Sequence, residues 1–155
     1  LVRFRQDPPR FEAYREYMAG MEDFALGHDT HEARYYLMSE AHFLKSYELD
    51  TNFLTPLLQL CVTYYNLQRY REQDSLYTLL EGRRNDMTKW ERKTWQFEQA
   101  RFAGRNLEAA RVAEDMFVMD PSDELAFSRA MRAYRRANYP GKALELRQKG
   151  DSMFF

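Results

Sequence analysis

Residues of matching character recur 70 positions apart. Asp50, Thr51, Leu57, Tyr64 and Gln68 are answered by Asp120, Pro121, Phe127, Tyr134 and Asn138. Ala109 and Ala143 are separated by 34. Seventy is therefore two periods of 34 with an insertion of two, and the polar loop Arg83–Thr88 is where two extra residues cost least. A fixed period of this length marks a repeated supersecondary unit that buries its apolar face against its neighbours. The unit is helical. The sequence has no isoleucine and four valines, whereas strands favour β-branched residues. Ala, Leu, Glu, Arg, Gln and Met dominate, and these are good helix formers.

The pattern divides into eight helices in four antiparallel pairs. Residues 1–10 carry Pro8, Pro9 and no period, and read as a linker or tail. From Phe11, Tyr14, Tyr17, Met21 and Phe24 share a helical face. Gly27-His28-Asp29-Thr30 reads as a break, and Asp29 with Glu32 as a capping box for a long second helix to Leu49. The third helix, from about Leu54, has the inner stripe Leu57, Leu60, Cys61 and Tyr64. The fourth covers roughly Tyr70 to Gly82. Thr88 and Glu91 form a second capping box, opening a fifth helix that ends near Gly104. The sixth spans about Leu107 to Met119. Ser122 is the expected cap of the seventh, which breaks at Asn138-Tyr139-Pro140-Gly141. The eighth begins near Lys142.

Two helices per 34 residues resembles the tetratricopeptide repeat (TPR) family. The strongest stretch is Gly104-Arg-Asn-Leu-Glu-Ala109 through Met119-Asp120-Pro121, similar to the family's glycine turn, small second-helix residue and closing Asp-Pro. Phe127, Tyr134 and Ala143 stand at the spacing of the family's Trp, Tyr and Ala, while Gln73 stands where the family prefers Ala. The first repeat departs most, through its long second helix. The resemblance implies an all-α fold, a right-handed α-solenoid of about four TPR-like antiparallel helix pairs, over residues 11–155. The repeats would span about 11–53, 54–89, 90–123 and 124–155. The opening Phe11-Glu-Ala-Tyr-Arg-Glu-Tyr-Met-Ala-Gly20 also looks like the first repeat of bacterial signalling proteins.

In such an array the first helix of each pair would line a concave groove. The expected partner-binding residues are Gln59, Tyr65 and Asn66 on the third helix, Trp95, Arg101 and Phe102 on the fifth, and Arg129, Arg132 and Arg136 on the seventh. Trp95, Phe102 and Tyr65 would be apolar anchors; a core role is the competing reading for each aromatic. Arg129, Arg132 and Arg136 follow i, i+3, i+7 spacing and could grip a carboxylate; a solvated charged face is the competing reading. The Lys/Asn/Arg set with which some TPR proteins hold a C-terminal carboxylate is absent. Met18, Glu22, Gln59, Glu91 and Trp95 occupy the matching places.

The expected function is therefore a non-catalytic protein–protein interaction module that takes a protein or peptide, with an acidic residue or carboxylate, in a concave groove. The alternative is a sensory, scaffolding or dimerising arm of a larger signalling protein, such as a bacterial serine/threonine kinase or transcriptional regulator. The start at Leu1 rather than Met reads as an excised piece of a longer chain. An α-helical hydrolase is a third reading, but no chemistry stands out. His28, His31 and His42 are the only histidines and form no HExxH, Cys61 is alone, and no glycine-rich phosphate loop occurs. No catalytic residue, metal or cofactor is expected. Net charge is −1, and acidic first helices oppose nucleic acid. Apolar runs are far short of a membrane span, so no membrane insertion is expected; the compartment is left unknown, with a soluble, cytoplasmic one slightly favoured. Met153, Phe154 and Phe155 make an apolar C-terminal end that could admit a second copy as a homodimer.

Overall fold

The computed structural model describes residues 8–154, leaving aside the side chains of Glu124, Met153 and Phe154. Those residues form α1 (Phe11–Thr30), α2 (Ala33–Leu49), α3 (Thr55–Asn66), α4 (Tyr70–Gly82), α5 (Lys89–Phe102), α6 (Asn106–Met119), α7 (Glu124–Arg136) and α8 (Pro140–Phe154), with a 3-10 turn at Arg84–Asp86. Among the described residues there is no strand, so the fold is all-α. Two compact units divide between Glu91 and Arg92, inside α5. The expected apolar end at Met153, Phe154 and Phe155 lies outside the described side chains, as does most of the expected tail at 1–10.

In the first unit, α1 packs on α2 through small residues seven apart. Ala13, Gly20 and Gly27 are buried, and Ser46, Phe43 and Tyr36 face them. The Ser46 hydroxyl donates to the Ala13 carbonyl at 2.6 Å. A Cβ on Gly20 would meet the Phe43 ring at 2.6 Å, and one on Gly27 would meet the Tyr36 ring at 3.0 Å. Gly27 is thus a packing notch and not a break. The helix continues to Thr30 and ends where His31 adopts φ 59°. The capping box expected of Asp29 and Glu32 is absent, because Glu32 is the N-cap of α2 and makes no side-chain cap.

Next, α3 packs on both α2 and α4. Its expected stripe, Leu57, Leu60, Cys61 and Tyr64, is buried, and so are Leu58 and Thr63, which makes α3 the centre of this unit. Gln73 explains its own departure from alanine: buried, it donates its amide to the Cys61 carbonyl at 3.1 Å, tying α4 to α3. The expected box at Thr88 is formed. The Glu91 N–H donates to the Thr88 hydroxyl at 3.1 Å, and the Thr88 N–H donates to the Glu91 carboxylate at 2.9 Å.

The second unit repeats the design, with α7 against both α6 and α8. Here Asp123 caps α7, accepting from Leu125 and Ala126, while Ser122 donates to Asp120 instead. Ser122 was the expected cap. It loses the place because Asp120 already holds both its N–H and its hydroxyl.

The 70-residue recurrence reaches the backbone. Gln68, Gly104 and Asn138 all have positive φ. Each donates its N–H three residues back, and each following residue donates five back, to Tyr64, Ala100 and Tyr134, a helix-ending closure made three times. Asp50 and Asp120 match as well. Each accepts, on its side chain, the N–H two residues on (Asn52 and Ser122), and on its carbonyl the N–H three residues on (Phe53 and Asp123). The insertion of two falls between Gln68 and Gly104, where the 3-10 turn takes it up.

Candidate functional site

Helix α7 buries Ala126, Ala130, Ala133 and Tyr134 along one side. At about 100° per residue, Arg129, Arg136, Arg132 and Arg135 then fan out from the edge of that side toward solvent. Their environments differ. Glu98 on α5 is only 3% exposed, and a buried carboxylate needs cations. Arg101 meets it at 2.8 Å and Arg129 at 3.8 Å. Arg101 also lies over the Phe102 ring at 4.4 Å, and Arg129 over the Phe97 ring at 5.4 Å. These two arginines are held by their own unit.

Arg132, Arg135 and Arg136 are exposed and line a hollow of about 350 Å³. Arg132 makes a long 3.4 Å bond to the Ser128 carbonyl. Among the described residues, no carboxylate is paired with any of the three. Arg135 and Arg136 also suit the negative end of the helix dipole. That accounts for two cations in the last turn but not for a third converging on the same hollow.

The other expected site residues fall elsewhere. Trp95 is 1% exposed and belongs to the core, so it offers no surface to a partner. Phe102 is partly covered by Arg101. Gln59, Tyr65 and Asn66 belong to the first unit. Tyr65 is 43% exposed and meets Tyr70 edge-on at 6.2 Å, Asn66 is exposed and Gln59 is half-buried. Glu91, which the TPR resemblance put in the groove, is buried and accepts from Thr55 at 3.2 Å as well as from Thr88. Helical spacing also puts Arg135 and Glu98 on groove-facing positions of the seventh and fifth helices, outside the expected binding set. Arg135 does line the hollow, whereas Glu98 is buried, and nothing in spacing alone announces its role as an anchor for Arg101 and Arg129.

The titratable groups otherwise serve packing. His42 bridges α2 to α1, 2.7 Å from Glu16 and 3.5 Å from Asp23, and lines neither this hollow nor the apolar groove described below. Among the described residues, no three His, Cys, Asp or Glu side chains are grouped to hold a metal ion. Burial, with the Glu40 carboxylate beside it, pushes the Tyr64 phenol up to about 12. Burial and the hydrogen bond to Glu114 raise the Tyr134 phenol as well. No described helix is long and apolar enough to cross a membrane. No family model matches the sequence, and comparison with curated proteins and with solved structures found no match.

Proposed function

We propose that the chain is a TPR-like protein–protein interaction module, its helix pairs part of a right-handed α-solenoid, that takes an acidic segment of a partner protein along α7. The observation that carries the binding reading is the convergence of Arg132, Arg135 and Arg136 on one hollow without a carboxylate of their own. The recurring turns at Gln68, Gly104 and Asn138 support the repeat reading, as do the buried equivalents Gln73, Ala109 and Ala143. Guanidinium groups bind carboxylates in a planar, two-pronged way, so several on one short arc favour a flexible acidic stretch over a single charge.

The test is fluorescence anisotropy with a labelled oligoglutamate. The wild-type chain should bind it, and added salt should weaken binding because the contacts are exposed charges. An Arg132→Glu/Arg136→Glu variant should retain its helical circular dichroism and bind at least about tenfold more weakly, the loss expected for two exposed cations replaced by anions. Equal binding by wild type and variant would overturn the assignment of α7.

A further inference from the structure

The first unit carries an apolar groove that the arginine face does not use. Its floor is Leu57, Leu60 and Leu76, all buried, and its two shores are Leu44 on α2 and Leu79 on α4, 39% and 40% exposed. The groove holds about 390 Å³. It follows α4 from Arg71 to Leu79, about 12 Å at the rise of an α-helix. A stable protein interface needs about 800 Å² on each partner, far more than two helical turns provide. The volume sits near the lower end of small-molecule sites, roughly 300 to 1,000 Å³.

The charges at one end choose the ligand's head. Arg69 is saturated, 2.6 Å from Glu40 and 3.0 Å from Glu72. Glu72 spends its charge on that pair, and its carboxyl is held below the usual range by a backbone hydrogen bond first and by Arg69 second. Arg71 is exposed on the rim; the neighbouring Glu72 carboxylate feels its charge, but among the described residues no carboxylate lies within ion-pair distance of it. The Ser75 hydroxyl is turned onto the Arg71 carbonyl at 3.0 Å, and among the described residues lining the groove Arg71 is the one cation. A cation at one end of a short apolar trough complements an anion at one end of a short apolar chain.

We propose that this groove binds a medium-chain carboxylic acid, its hydrocarbon tail held between the exposed Leu44 and Leu79 above the buried Leu57, Leu60 and Leu76, and its carboxylate on Arg71. The site stands apart from the α7 reading: it lies wholly in the first unit, and neither result decides the other.

Isothermal titration of the full chain with decanoate, below its micelle-forming concentration, tests it. One saturable site is expected. Decanol should bind at least about tenfold more weakly, and so should decanoate to Arg71→Glu, since a hydrogen bond to a charged group is worth roughly that factor. Leu79→Glu, at an exposed shore, should abolish binding while the thermal melt confirms folding. The proposal is overturned if decanoate fails to saturate, if Arg71→Glu or decanol matches the parent pair, or if Leu79→Glu folds and still binds. A short peptide ending in a leucine carboxylate that binds more tightly than decanoate would overturn the fatty-acid assignment in favour of a protein C-terminus.

Discussion

Two helical glycines, Gly20 inside α1 and Gly82 at the last residue of α4, make opposite demands. At Gly20 an added methyl would strike the ring of the fully buried Phe43, whereas at Gly82 it would meet nothing within 4 Å. Helix propensity alone favours alanine over glycine by up to about 1 kcal/mol, less at a helix end, and overpacking a filled core costs about 1 to 3 kcal/mol. Gly82→Ala should therefore raise the denaturation midpoint and Gly20→Ala lower it, with urea melts of both variants as the check. A rise in both would mean that α1 and α2 do not close on the glycine notch. Phenols supply a second residue-scale prediction. An exposed tyrosine ionises near pH 10, but Tyr64 is pushed up to about 12. Below about pH 10 folded and unfolded chains are equally protonated at this site. Above it the unfolded chain loses the proton first, so stability falls as pH rises from about 10 to 12, by on the order of 2 kcal/mol from Tyr64 alone. Tyr134, raised as well, adds to the loss. Absorbance titration should show tyrosinate appearing in two stages, the later one together with unfolding. Full ionisation near pH 10 with the fold intact would contradict the buried placement.

Element boundaries were written unevenly in the sequence. Thr88 and Glu91 announced α5 because a reciprocal box is a purely local signal, and the structure forms both of its bonds. Gly104 and Asn138 ended helices as read, since a positive φ suits these residues. Gly27 and Ser122 misled for one reason: each has a common local role that a neighbour outcompetes, the Tyr36 ring in one case and Asp120 with Asp123 in the other. The cap assignment is testable. Asp123→Ala should cost about 1 kcal/mol, and Ser122→Ala much less. Chemical denaturation of the two variants, run side by side, distinguishes them, and the reverse order would restore Ser122 as the cap.

For the whole molecule, the all-α character and the 70-residue recurrence were legible because composition and period depend on no tertiary contact. The candidate site was legible in part. Spacing placed Arg129, Arg132 and Arg136 on one arc. It could not tell that Glu98, buried on another helix, would hold Arg129 and leave Arg132, Arg135 and Arg136 outward. Trp95 was misplaced for the same reason, because a helix face reads as groove or core only once its neighbours are known. Trp95→Ala should accordingly cost about 3 to 5 kcal/mol, as buried aromatic truncations do, and a thermal melt should show it. An unchanged melt would return Trp95 to the surface. The most direct measurement of the central claim is a charge swap on α7. Wild type should bind labelled oligoglutamate and not oligolysine, and Arg132→Glu/Arg136→Glu should reverse that preference without loss of helicity. If both proteins keep the same preference, the acidic partner is not read by the arginines of α7.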